Sequence, residues 1–193
     1  MRTAEFDRQQ VLRAAMDAFI SKGYSKTSMQ DLKLATGLHP GSIYCAFENK
    51  RGLLLAALEQ YRNDRSAQFD AFFAGQAQVF DGIVAYLDSV VAECEQDEIR
   101  DCLLQKALSE LSHQDAEVEA LIGSMLTDWQ QAFCTRLQLA QQQGAIPAAK
   151  DCAALSRFLV MGIYGIRTYA HTKPAKGVLA QLGHQLLDYL QQS

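Results

Sequence analysis

The sequence has no apolar run long enough to cross a bilayer. The longest, FLVMGIYGI at 158–166, is nine residues held between Arg157 and Arg167, where a spanning helix needs about 20. The opening MRTAEFDRQQ lacks the apolar stretch of a signal peptide. A soluble, cytoplasmic protein with no membrane partner is therefore expected. The five cysteines (Cys45, Cys94, Cys102, Cys134 and Cys152) are odd in number and widely spaced, with no Cys-x-x-Cys or Cys/His zinc pattern. They read as reduced thiols, neither a disulfide framework nor a metal site. No G-x-S-x-G, H-E-x-x-H or phosphate loop occurs. His113, His171 and His184 stand alone in polar or helix-end settings, as surface histidines do. Nothing points to an enzyme or a cofactor. Period-2 alternation, internal repeats and low-complexity segments are also missing, which leaves an all-α chain.

Hydrophobic residues make up 49% of the 193 and charged residues 21%, the balance of a globular protein. The net charge of −4 argues against nucleic acid until its distribution is read. Residues 1–65 hold ten Lys or Arg and seven Asp or Glu, a balance of +3; residues 66–193 hold eight and fifteen, a balance of −7. A mildly basic head on an acidic body suits a protein that meets DNA with one end only.

From Glu5 to Lys22 the apolar residues Val11, Leu12, Ala15, Ala18 and Phe19 form one stripe of an amphipathic helix, which Gly23 ends. Thr27 reads as an N-cap with Gln30 closing a capping box. Met29, Leu32 and Ala35 follow at helical spacing, and Gly37 supplies a turn. Pro40 fits the first position of a second short helix, anchored by Ile43, Tyr44 and Phe47. Asn49 caps a longer helix running from Lys50 to about Ala74, with Gly75 and Gly82 bracketing a break. Two short helices around a glycine turn make a helix-turn-helix, whose second helix can enter the DNA major groove.

The body continues as helices. Ile83, Leu87, Val90 and Cys94 form one stripe. Asp101 reads as the cap of a helix holding Leu103, Leu104, Ala107, Leu108 and Leu111. A long helix follows over 116–143. Helices near 151–171 and 176–191 finish the chain. The helix from Leu155 to Tyr169 is apolar on nearly every side, the pattern of a helix buried all round. Gly162 and Gly165 within it suggest close approach of another helix. With Leu179, Leu182, Leu186 and Leu190 these residues suit either a monomer core or half of a four-helix bundle completed by a second copy.

The run GYSKTSMQDLKLATGLHPGSIYCAFENKRGLL resembles the N-terminal domain of TetR/AcrR-family transcriptional regulators. Gly23-Tyr24, Thr27-Ser28-Met29, Ala35-Thr36-Gly37-Leu38, Gly41-Ser42-Ile43-Tyr44, Phe47, Lys50 and Gly52-Leu53-Leu54 carry the resemblance, which covers residues 5 to 60. His39 departs from the Ser or Thr usual there, and Cys45 and Ala46 are small where an aromatic or His is common.

The resemblance implies a three-helix DNA-binding head at 1–50 and a helical ligand-binding and dimerisation body at 51–193. It also implies a homodimeric regulator, a repressor released from an inverted-repeat operator on double-stranded DNA by an inducer. Thr27, Ser28, Gly41, Ser42, Tyr44 and Lys50 become candidate phosphate partners, and Gln30 and His39 candidates for base edges, although such residues also serve as ordinary caps and surface groups. The dimer interface falls to Leu155, Gly162, Gly165, Ile166, Leu179, Leu182, Leu186 and Leu190. Tyr86, Met125, Trp129, Phe133, Phe158, Met161 and Tyr164 are candidate lining for a small-molecule inducer, or plain core. Cys102 offers a second effector chemistry: a helix start favours the thiolate, the acidic neighbours Asp101, Glu95, Asp97 and Glu98 oppose it, and Asp-Cys-Leu-Leu resembles a pattern in family members that answer electrophiles or oxidants. A helical carrier without DNA binding is the alternative function, and an enzyme the other.

Overall fold

The computed structural model describes residues 6–96, 103–111 and 115–192, with Gln105 described in its backbone alone. Among these the chain forms nine α-helices and no strand: α1 (Arg8–Lys22), α2 (Met29–Thr36), α3 (Pro40–Phe47), α4 (Lys50–Ala71), α5 (Val79–Cys94), α6 (Leu103–Leu111), α7 (Ala116–Gln142), α8 (Cys152–Ala170) and α9 (Val178–Gln191). The all-α expectation holds. Asp101 and Cys102, expected to cap α6 and to sense electrophiles, lie outside the described residues, as does His113.

Helix boundaries follow local chemistry. Asp7 accepts from the Gln10 N–H at 3.1 Å, so α1 opens at Arg8, three residues later than the apolar stripe suggested. Gly23, at φ +83°, ends it with its N–H on the Phe19 carbonyl. Helix α4 stops at Ala71, short of Ala74, because Phe72, Phe73 and Ala74 donate to carbonyls three residues back and tighten the chain out of the α-helix. Gly75 turns the chain, but Gly82 breaks nothing. It sits inside α5, where a Cβ would fall 2.5 Å from the Phe73 ring.

The described residues divide into two compact units. One holds the residues through Arg65 with those of α6 and the start of α7 to Ser124; the other holds those from Ser66 to Gln96 and from Met125 onward. A division at residue 50 would therefore cut the first unit, since Leu53, Leu54, Ala57 and Leu58 of α4 are fully buried there. Two eight-residue helices and α1 cannot bury a core alone, so the apolar first half of α4 completes it.

The second unit packs α5, α8 and α9 with the later part of α7 around Ile83, Leu87, Phe133, Leu137, Leu159 and Ile163. Helix α8 departs from the all-round burial its composition suggested. Cys152, Leu155, Leu159, Ile163, Ile166 and Ala170 face the core, while Ala154, Arg157, Met161, Gly165 and Thr168 form an exposed crest. Met161 stands 62% exposed on that crest. None of the helices in the described residues is long and apolar enough to cross a membrane.

Candidate nucleic-acid interface

The helix-turn-helix is capped one residue later than the sequence pattern suggested. Ser28, not Thr27, is the N-cap of α2, and Asp31, not Gln30, closes the box. Ser28 Oγ accepts from the Asp31 N–H at 3.1 Å, and the Ser28 N–H donates to Asp31 Oδ2 at 2.8 Å. An ionised carboxylate accepts these N–H groups better than an amide, and the Lys22 ammonium completes its charge balance. Lys22 first, then Ser28, holds the Asp31 carboxyl well below the usual carboxylate range. Thr27 is 1% exposed, and its hydroxyl donates to the Gly23 carbonyl at 2.6 Å. It is spent on the α1–α2 turn and is turned away from solvent. Gln30 is exposed.

Gly37 adopts the left-handed conformation, φ +71°, that ends α2 and turns the chain. His39 then caps α3, its Nδ1 accepting from the Gly41 N–H at 3.4 Å, with Pro40 at the first helical position. Ile43 and Phe47 are buried, and the Arg8 guanidinium lies 4.8 Å over the Phe47 ring. Tyr44, expected as a third anchor, is instead exposed, because it lies about 100° around the helix from Ile43; Gly41 and Cys45 are exposed with it, and Ser42 is half-buried beside them. Helix α3 is therefore seated by two side chains and presents its opposite face to solvent. The Lys50 ammonium sits 4.3 Å over the Tyr24 ring, and burial pulls its pKa down against an opposing pull from Glu110.

Residues far along the chain hold this head together. The Ser25 N–H donates to Glu110 Oε2 at 2.8 Å, and Lys106 Nζ donates to the Ile20 carbonyl at the end of α1. Arg51 grips Asp115 and Glu117 with a guanidinium fork. That fork lowers the Asp115 carboxyl to about 2. No group of three or more His, Cys, Asp or Glu that could hold a metal ion occurs among the described residues.

In the body, four of the expected ligand residues come together. Tyr86 meets Phe133 at 5.5 Å, Phe133 meets Trp129 at 5.6 Å, and Trp129 meets Tyr164 edge-on at 6.0 Å. Phe133 is buried, whereas Tyr86, Trp129 and Tyr164 are half-buried. Met125 is buried as well. Phe158 and Met161 do not join them. On α8, six residues place Phe158 about 120° around the axis from Tyr164; Phe158 stacks on Tyr189 at 4.5 Å instead, and Met161 stands on the exposed crest. The expected interface residues also scatter. Leu155, Ile166, Leu179 and Leu190 are buried in their own chain, and Leu182 and Leu186 are half-buried. Gly162 packs on Leu186 of the same chain, where a Cβ would fall 2.5 Å from Leu186 Cδ1. Gly165 has no neighbour within 4 Å of where its Cβ would stand.

Residues 11–57 match the family model of bacterial regulatory proteins of the tetR family, and residues 80–180 match that of the tetracyclin repressor-like C-terminal domain. The second match alone spans more than half of the 193 residues. The chain belongs to the TetR family. The transcriptional repressor ComR of Escherichia coli K12 is 28% identical over 183 residues, covering 92% of this chain and 85% of that protein. A cysteine mutant of the TetR family regulator CifR, complexed with 26-bp double-strand operator DNA, superposes with a TM-score of 0.82 at 27% identity, over 97% of this chain and 98% of that one. A TetR regulator from Chloroflexus aurantiacus shares the fold, with a TM-score of 0.83 at 24% identity over 96% and 94% of the two chains.

This TetR-family chain is thus a transcriptional regulator with a DNA-binding domain, and not an enzyme. Sequence reasoning missed Lys106, Glu110, Asp115 and Glu117 as parts of the head. Their only local signal was charge on segments assigned to the body, because the contacts they make span 64 to 86 residues.

Proposed function

We propose that the protein is a homodimeric repressor that places α3 of each copy in the major groove of an inverted-repeat operator and releases it when a small molecule seats at the Tyr86–Trp129–Tyr164 edge. The open face of α3 carries the DNA part of this reading: Gly41, Tyr44 and Cys45 are exposed on a helix whose other side is fixed by Ile43 and Phe47. ComR bears the name of a repressor, and CifR binds a 26-bp operator duplex. The two-fold reading is supported by the α8 crest, which leaves Met161 and Tyr169 exposed and continues through Phe158 onto Tyr189 of α9. Two heads related by a dyad would meet half-sites about 34–36 Å apart or a multiple of that. The half-buried rings of Trp129 and Tyr164 suit an apolar or aromatic inducer. Selection of bound duplexes from a random pool tests the whole: an inverted repeat supports it, and only asymmetric single sites would defeat it.

Gly165 separates dimer from monomer. Open space surrounds its position within one chain, so Gly165→Glu should leave the fold intact. It should convert the dimer to monomer in analytical ultracentrifugation, and operator affinity should fall with it. A Gly165→Glu protein that sediments as a dimer would remove the α8 crest from the interface.

Lys50 is proposed as a phosphate partner, held ready by the Tyr24 ring. Lys50→Ala should weaken binding to every duplex alike. The slope of log K against log salt should flatten by roughly 0.9 per contact, about two for a dimer. An unchanged slope would mean the ammonium belongs to Tyr24 alone.

A further inference from the structure

The outer face of α3 carries none of the side chains that read purines by paired hydrogen bonds. From Leu38 to Glu48 the sequence contains no Arg, Lys, Asn or Gln, the residues that bind guanine or adenine edges bidentately. What occupies the face is decided by helix geometry. At about 100° per residue, Cys45 lies about 180° from the midpoint of the two buried anchors, Ile43 and Phe47. Its thiol is free and exposed. Gly41 stands one turn before it on the same line, also exposed. The crest of the helix is therefore small and carries no strong hydrogen-bond donor, with the Tyr44 ring 50% exposed on its flank.

Gly41 has no internal reason to be glycine. Its φ is not positive, and a Cβ there would meet only His39 Nδ1 at 3.8 Å, an ordinary contact. Compare Gly52, whose Cβ would fall 2.0 Å from the Phe47 carbonyl oxygen, and Gly37, whose φ of +71° requires glycine. Glycine is a poorer helix former than alanine, even in the first turn where Gly41 stands. Nothing within the chain requires glycine here, and the missing side chain leaves the backbone of α3 open to close approach by an outside surface.

We propose that α3 reads its half-site by apolar contact with thymine, the Cys45 side chain packing on a 5-methyl group at the floor of the major groove while Gly41 lets the helix lie deep enough to reach it. The thymine methyl is the one apolar group the major-groove edge displays, and small side chains are what meet it. Phosphate partners would then fix the register, and methyl contacts the sequence. The inference rests on α3 being the operator-contacting helix.

The test uses the full-length protein on the duplex that selection returns. Each half-site thymine is replaced by deoxyuridine, which keeps every hydrogen bond and removes only the methyl. At one position per half-site, affinity should fall about fourfold per methyl and about fifteenfold when both half-sites are changed, as burial of one such group implies. Cys45→Ser, an exposed and nearly isosteric change, should melt with the parent and lose that penalty at the same position. Gly41→Ala should raise the melting temperature while weakening binding at least tenfold. If no thymine is sensitive, or if Cys45→Ser shows the parental penalty, the inference fails and operator binding through α3 stands. A selection that returns no duplex at all overturns operator binding itself, and this inference with it.

Discussion

Gly52→Ala is expected to abolish operator binding and to cost the head about 3 kcal/mol. A Cβ at this position would stand 2.0 Å from the Phe47 carbonyl oxygen and 3.1 Å from its carbon. Both are backbone atoms, so no rotamer change relieves the clash. Phe47 is the last residue of α3, followed by Glu48 at φ +66° and by Asn49, whose Oδ1 accepts from the Gly52 N–H at 2.9 Å. The corner between α3 and α4 is thus built on the missing side chain, and a methyl group there levers α3 away from the bulk of the head. Circular dichroism melting and operator titration read the two effects together. A Gly52→Ala protein that melts and binds like the parent would mean that the α3–α4 corner is not closed in the way described.

Phe133→Ala should be the most damaging single truncation in the body, at about 4 kcal/mol. The ring is 1% exposed and meets Phe69 at 4.9 Å, Tyr86 at 5.5 Å and Trp129 at 5.6 Å. Two of these contacts are edge-on, which adds to the area term. Removing it leaves a cavity ringed by stiff aromatic side chains that collapse poorly. Trp129→Ala is the informative partner. Trp129 is half-buried and borders Tyr164, so its loss should cost less stability and, under the function proposed above, blunt the response to an aromatic inducer. Chemical denaturation measures the first quantity. If Phe133→Ala lies within about 1 kcal/mol of the parent, the aromatic cluster is not the packing centre its distances imply.

The two substitutions separate what is read from residues and what is read from contacts. Gly52 was among the residues that carry the resemblance to the family, and the structure supplies a reason for glycine there. Phe133 was legible only as one apolar residue on a long stripe. Whether it lined a pocket or filled a core depended on which helices stood opposite, and Phe69 and Tyr86 lie 64 and 47 residues before it in the chain.

Local chemistry determined a good deal by itself. The helical periods, the glycine turn at Gly37, Pro40 at the start of α3 and the Asn49 cap are all set within four residues, so they stood in the sequence. The inner face of α3 was legible only in part: of its three expected anchors, Ile43 and Phe47, one turn apart, are buried, while Tyr44, about 100° around the helix from Ile43, stands 50% exposed. The cap of α2 also slipped from Thr27 to Ser28. Thr27 and Ser28 are both competent caps, and so are Gln30 and Asp31 as their partners. The α1–α2 turn chose between them by burying the Thr27 hydroxyl on the Gly23 carbonyl and bringing Lys22 to Asp31.

What only the tertiary structure decided is the assignment of faces that composition leaves ambiguous. The segment around 155–169 is apolar on nearly every side, and the sequence could not say which side would find partners in its own chain. The fold turns Leu155, Leu159, Ile163 and Ile166 inward and leaves Met161 and Gly165 on the crest. The same holds for the head, whose Arg51, Ser25 and Ile20 are held by groups on α6 and at the start of α7. Periodicity reports that a face exists and how wide it is. The partner that covers it is chosen by contacts distant in sequence, whose geometry no local pattern encodes.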